Sequence, residues 1–400
     1  MDEEARRIGQ RARRIRRAQG KSLDVIAGLA SISAPYLSML ERGERRWDSR
    51  TLTDKIAHAL GVKSTDLIGP PDAEDSKSRD RKHAELSPLY RALIESSLDL
   101  PERKGGTRPL PALQALTATL ISAWQAHQHQ QAIDVAIPLL KETATAARTG
   151  TMADRTELLW LHQQALRITS SIMRTFGELP LALVAAERCY QVAQLNGDPA
   201  ALAYSAFPRI HALTPDGLYG PAYELGDQAL ALVETPADDR TLAVRGAVLL
   251  ATAFAAALAG QPADASALLS EADEIAARTG DLTIEFGAFG PTNSTVHRMS
   301  IAVESGDHDE TIRLGERLDP RRITDANRRA TFLADLGRAK AAVGAEDEAV
   351  QLFQRSERAS ALVIRRNPYV KDVLADILHS RRRLATGPAL TGLAGRLGII

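Results

Sequence analysis

The sequence predicts an all-α protein, with an N-terminal five-helix bundle followed by a right-handed solenoid of stacked helix pairs. Three observations predict it. Aromatic residues are only 4% of the 400, while alanine, leucine and arginine abound; alanine and straight-chain residues lose little on entering a helix. Alternating Val/Ile/Thr runs are nearly absent, which leaves strands no pattern to form on. Glycines recur roughly every forty residues with small or apolar residues at fixed offsets behind them, the mark of a helical repeat.

A chain of 400 residues exceeds one compact core. The expected division is 1–69 as the N-terminal bundle, 70–110 as a charged linker with one helix, and 111–400 as the repeats. The net charge of zero conceals an asymmetry. Residues 1–70 hold 14 Lys and Arg against 9 Asp and Glu, so the remainder carries a balance of −5. Only the first module is therefore suited to a polyanion. Cys189 is the single cysteine, which rules out an internal disulfide and suits a reducing, cytoplasmic setting; a small buried hydrophobe is its expected role. The stretch Gly246 to Gly260 is apolar but spans 15 residues, short of the roughly 20 that cross a membrane. It reads as a buried helix, and no membrane association is expected.

Helix one is predicted from about Glu4 to Gln19, with Ile8, Ala12 and Ile15 on one stripe among seven arginines and Gly20 as its stop. Ser22 caps the second helix, Leu23 to Leu29, and Ser33 caps the third. That places Pro35 at the second helical position, where its missing N–H costs nothing. Two short helices joined by three or four residues form a helix-turn-helix, whose second helix enters the major groove. Leu37 and Leu40 face inward; Ala34, Pro35, Ser38 and Met39 form the outward face, with Ser38 able to bond either base type. Gly43 ends that helix, and Arg42, Arg45, Arg46 and Arg50 fall where a loop follows the phosphates. A fourth helix spans about Arg50 to Leu60, and Ser64 to Ile68 form a fifth turn.

The stretch from Ala5 to Gly69, with its YLSMLERG element and ALGV–DL ending, resembles the XRE family of Cro and repressor-type domains. The resemblance implies an ion pair between Arg16 and Glu41 that turns the arginine towards a phosphate. It also implies DNA contacts from Ser33, Ala34, Pro35 and Ser38, with Met39 and Arg42. This chain departs from the family pattern in three places. Leu23 replaces a glutamine that touches phosphate, Ser31 replaces a turn glycine, and Trp47 stands where proline is common and is expected to pack on the bundle, the alternative being that it covers a deoxyribose.

Gly69 to His83 reads as a charged linker, followed by a helix at about Ala84 to Leu100 and a break at Pro101 to Pro111. Beyond Leu113, Gly177, Gly220, Gly260, Gly306 and Gly344 each precede small or apolar residues five, nine and twelve positions on, weakly for Gly306 and most weakly for Gly220. Each unit would be a helix, a glycine turn and a second helix, about six pairs in all, with a capping helix from Tyr369 to Arg382. The spacing resembles tetratricopeptide repeats. Polar residues surplus to packing on first helices are the candidate ligand contacts: Gln164, Arg167, Tyr204, Arg209, Arg245, Asn293 and His297. The Phe286 and Phe289 rings before Asn293 read as core. His127 and His129, two apart, are expected on different helix faces, which disfavours a metal.

No phosphate loop, HExxH or nucleophile elbow is present, so no enzyme activity, metal or cofactor is expected. An XRE-type module ahead of tetratricopeptide-like repeats resembles the peptide-responsive RRNPP regulators. That resemblance implies a homodimeric transcription regulator on an inverted-repeat operator of double-stranded DNA, with a peptide or small molecule as effector. The alternative is a DNA-anchored scaffold whose repeats dock a protein partner.

Overall fold

The computed structural model describes residues 3–45, 47, 50–62, 64, 67, 76–100, 106–235, 238–284, 287–381 and 387–399. Arg46, Phe286, Arg382, Thr65, Asp66, Ile68, residues 69–75 of the expected linker and residues 101–105 of the expected break lie outside them. The class is all-α, a helix-turn-helix bundle with a helical solenoid. By its contacts the chain forms two compact units. One contains Met1–Glu74, Arg298–Arg321 and Asn327–Ile400; the other contains Asp75–His297 and Arg322–Ala326.

The bundle comprises α1 (Glu3–Ala18), α2 (Leu23–Leu29), α3 (Ala34–Arg42) and α4 (Arg50–Leu60). Ile8, Ile26, Leu37, Leu40, Ile56 and Leu60 fill its core, closed by Leu67 and by Trp47, which is buried as expected. Gly9 lets α1 cross α3 closely, since a Cβ there would lie 2.1 Å from the Leu40 carbonyl oxygen. In the same unit, Thr51 of α4 donates from Oγ1 to the Glu304 carbonyl at 3.1 Å.

The second unit begins with α5 (Ser76–Glu95). This helix starts within the stretch expected to be linker, because lysine and arginine are good helix formers even without an apolar stripe. Its end and the turn after it are held by two arginines. Arg188 Nη1 donates to Leu93 O, and Arg148 Nη1 to Ser97 O (2.9 Å) and Leu100 O (3.1 Å).

The helix pairs follow: α6 (Leu110–Gln125) with α7 (His129–Thr149), α8 (Met152–Thr175) with α9 (Leu179–Asn196), and a broken helix, α10 (Pro199–Tyr204) and α11 (Ala206–Leu213), with α12 (Tyr219–Ala231). Next come α13 (Asp239–Leu258) with α14 (Pro262–Thr279), α15 (Pro291–Ser305) with α16 (His308–Arg317), and α17 (Ala326–Ala342) with α18 (Glu346–Ala359). Then α19 (Ala361–Arg365), α20 (Pro368–Arg381) and α21 (Pro388–Arg396), the last not anticipated, pack on α17 and α18.

Every pair turns in the same way. Shortly after the first helix one residue is left-handed, and the next amide bonds a carbonyl five residues back, as in Glu178 to Met173 (2.8 Å) and Gln261 to Ala256 (2.9 Å). Gly177, Gly260, Gly306 and Gly344 hold this position. Gly220 does not: it lies inside α12, and the left-handed residue is Gly217, φ 76°. Counted from Gly217, the fifth, ninth and twelfth residues are Ala222, Gly226 and Ala229, all buried. In the first pair the position belongs to His127, φ 63°, followed at the same offsets by buried Ala132, Ala136 and Leu139. The expectation for the two histidines is therefore corrected. His127 is in a turn rather than a helix, and its ring lies 3.9 Å from that of His129.

The apolar stretch around Gly246 lies in α13, whose 20 residues meet the length and hydropathy of a membrane span but are mostly buried within the protein. A two-stranded antiparallel hairpin, β1 (Leu282–Ile284) and β2 (Gly287–Phe289), was not foreseen. Its Phe289 ring sits on Gly246, where a Cβ would come within 2.0 Å of the ring. Asp281 beside it accepts from Thr292 N at 2.9 Å, capping α15.

Candidate nucleic-acid interface

Local chemistry sets the angle between α2 and α3. Ser22 Oγ accepts from Val25 N, and Ser33 Oγ from Tyr36 N, each at 3.2 Å. Between them Ser31 takes the left-handed conformation, φ 57°, without a glycine. The axes turn through 106°, within the range of a helix-turn-helix. Gly43, φ 71°, then stops α3 against Arg6, whose Cα would lie 2.6 Å from any Cβ at that position.

A buried ion pair fixes α1 on α3. Arg16 Nε and Nη2 meet Glu41 Oε1 and Oε2 at 2.6 and 2.7 Å, while Nη1 donates to Lys21 O at 3.0 Å. Hydrogen bonding to Glu41 holds the arginine above its ordinary pKa. The ion pair implied by the family resemblance is in place. The phosphate role given to Arg16 is not what the geometry favours, because the residue is only 8% exposed and its fork points into the bundle. Arg16 positions α3.

Outside this brace α3 presents a small, mixed face. Ser33 and Pro35 are exposed, Ser38 and Met39 half-buried, and Ala34 partly packed on the core. Arg42 and Arg45 are exposed beyond them, with Arg6, Arg13, Arg14 and Arg17 exposed on α1. Arg42 is not extended. Its Nε and Nη2 hold Glu44 Oε1 and Oε2 at 2.7 and 2.9 Å, and its Nη1 donates to Ser38 Oγ. The hydrogen bond from Arg42 keeps the Glu44 carboxyl below its usual range.

The family described as "Helix-turn-helix domain" matches residues 7–68. The "Uncharacterized HTH-type transcriptional regulator y4dJ" of Sinorhizobium fredii (strain NBRC 101917 / NGR234) is 37% identical over 65 residues, 16% of this chain and 83% of the relative. The chain belongs to the HTH-type transcriptional regulators. In this HTH-type regulator the matched residues are confined to the N-terminal module, and tetratricopeptide-like helix pairs make up most of the rest. Among solved structures, Rap protein complexed with competence and sporulation factor aligns at TM-score 0.48 and 12% identity, covering 89% of this chain and 98% of that one. Bacillus thuringiensis PlcR in complex with the peptide PapR7 and DNA aligns at TM-score 0.33 and 14% identity, covering 85% and 99%.

The residues singled out on the regulator's helix pairs divide into two groups. Gln164, fully buried, accepts from Arg167 Nε at 2.9 Å. Arg209 pairs with Glu187 at 2.8 Å and lies over the Tyr190 ring at 4.4 Å, while Tyr204 stacks on Phe207 at 5.3 Å. Arg167 and Arg209 both act on the buried Cys189, whose thiol is nonetheless pushed up to about 12 by burial. The remaining three are occupied locally. Arg245 donates to Glu271, Leu230 O and Val233 O, so it braces α13 rather than awaiting a ligand. Asn293 and His297 are each 7% exposed, with His297 Nδ1 on the Asn293 carbonyl at 3.0 Å. Sequence reasoning overlooked Gln163, whose Nε2 donates to Ala201 O while its buried Oε1, like Gln164 Nε2, meets no hydrogen-bond partner among the described residues. The signal was present: His162-Gln163-Gln164 is a polar run set between the apolar Leu158–Leu161 and Ala165–Leu166 stretches of α8.

Proposed function

We propose that the protein is a sequence-specific regulator that binds an inverted-repeat operator as a homodimer, and that its helix pairs sense an effector, a short peptide by preference. The observation that carries this is the open outer face of α3, braced from behind by the buried Arg16–Glu41 pair. A bundle built only for stability has no need of a small polar face flanked by exposed arginines. Two recognition helices would meet half-sites about 10 base pairs apart or a multiple of that. The effector reading is supported by the module order and by the buried amide atoms of Gln163 and Gln164 that meet no partner among the described residues, since an unmet buried polar group favours whatever completes it.

Gel shift against genomic fragments tests the DNA half. Arg45→Ala should weaken binding to all sequences and lower the salt slope by about one; unchanged affinity and slope would remove the interface. Thermal melting with synthetic hexapeptides tests the other half, because a ligand that binds only the folded state must raise the midpoint.

A further inference from the structure

We propose that Glu44, Arg42 and Ser38 form a relay that offers the Ser38 hydroxyl to the major groove as a hydrogen-bond donor. The chain would then select a base with an acceptor edge there, guanine or thymine, or adenine through N7, and reject cytosine. The inference rests on the reading of α3 as the recognition helix.

Three observations carry it. First, guanidinium nitrogens only donate, so the bond between Arg42 Nη1 and Ser38 must use a lone pair of Oγ. The serine proton is left for another acceptor, and a cation on its oxygen strengthens it as a donor. Second, that proton has no acceptor among the described residues. Serines and threonines inside helices often return it to the carbonyl four residues back, as Thr117, Thr143 and Thr169 do here; Ser38 makes no such bond. Third, the arginine is held in place rather than free to reach a phosphate. Both oxygens of Glu44 grip Nε and Nη2 at 2.7 and 2.9 Å. Glu44 is itself fixed by its amide on Met39 O at 2.9 Å, past the left-handed Gly43.

This assigns Glu44 a role that the charge pattern hides, since an acid beside DNA ordinarily only weakens binding. Here it aims Arg42 along the helix. Cytosine presents an amino donor in the major groove, whereas guanine and thymine present oxygen, so a donor hydroxyl distinguishes them. Arg42 and Glu44 are positioning residues, and Ser38 touches the base.

The test is selection of binding sites from a random duplex pool by the full chain and its variants. Ser38→Ala identifies the base position by losing preference there. The parent should favour guanine, thymine or adenine over cytosine at that position by roughly tenfold. Arg42→Met and Glu44→Gln should each reduce that ratio at least threefold, with the salt slope left as in the parent. Cytosine preferred at that position, or a Ser38→Ala profile identical to the parent's, overturns the relay. So does an Arg42→Met profile that keeps the preference while its salt slope falls by about one, because Arg42 would then be a phosphate contact. If the parent enriches no sequence, the recognition-helix reading fails, and the relay with it.

Discussion

The two parts of this regulator deploy arginine in opposite ways. In the N-terminal bundle one arginine, Arg16, is buried against a carboxylate, and many others stay on the surface. Among the helix pairs several arginines are structural. Arg148 and Arg188 hold the end of α5 and the turn after it, Arg245 ties α13 to Glu271 and two carbonyls, and Arg338 sits 7% exposed between Glu304 and Asp335. The same residue type thus lies mostly on the surface in one region and braces neighbouring elements in the other. What separates them is whether carbonyls and carboxylates stand within reach, which composition alone does not disclose.

The largest effect should come from breaking the most enclosed of these pairs. Arg338 Nη1 meets Glu304 at 2.9 Å and Asp335 at 3.3 Å, and its guanidinium lies 4.8 Å over Tyr369. Above pH 7, Arg338→Ala strands the buried Asp335 and the mostly buried Glu304 carboxylates and should cost about 3–5 kcal/mol of folding stability. Glu41→Ala strands only Arg16, which keeps its bond to Lys21 O, and should cost about 3 kcal/mol. Arg45→Ala should stay within about 0.5 kcal/mol. Urea unfolding of the three variants orders them, and an Arg338→Ala protein as stable as Arg45→Ala would erase the contrast.

Acidity should separate the two units by sign. Asp335 belongs to the first, where burial raises its carboxyl to about 7 from 3.8. The unfolded chain sheds that proton first, so stability falls as pH rises from about 4 to 7. His162 belongs to the second, where burial lowers its imidazole to about 3 from 6.5. The unfolded chain gains that proton first, so stability falls as pH drops below about 6.5. Each slope approaches roughly 1.4 kcal/mol per pH unit within its window. Hydrogen exchange at pH 6.5, 5.5 and 4.5 should show the units moving oppositely, with Asp335→Asn and His162→Gln each flattening one trend. Parallel trends would disprove the assignment.

The bundle was legible almost residue by residue, because its signals are local. Serine caps, a glycine stop and a stripe at Ile8, Ala12 and Ile15 each act within one turn, and α2 runs over the predicted Leu23–Leu29. The ion pair of Arg16 with Glu41 came from resemblance, and the Glu44 grip on Arg42 was missed because it depends on how Gly43 turns the chain. On the helix pairs the offsets behind each turn were legible, since a helix packed closely on its partner needs small residues at fixed positions. The occupants of Arg245, Asn293 and His297 were not legible, because their partners come from other elements or from backbone groups. The hairpin was hidden for a similar reason: its three-residue strands are too short to alternate, and only Gly246 under Phe289 explains their place.

The smallest effect concerns the turn that escaped notice. His127 fills the left-handed site that glycine fills in the other pairs, at φ 63° beside 79° for Gly260. At Gly260 an added Cβ meets no atom within 4 Å, so Gly260→Ala isolates the backbone strain and should cost about 1 kcal/mol. His127→Gly relieves the same strain but loses the ring contact with His129 at 3.9 Å and adds freedom to the unfolded chain. It should therefore stabilise, by less than about 1 kcal/mol. Should His127→Gly instead destabilise as much as Gly260→Ala does, the ring contact with His129 must outweigh the strain, and the first turn is held by its side chain where the others are held by their backbone.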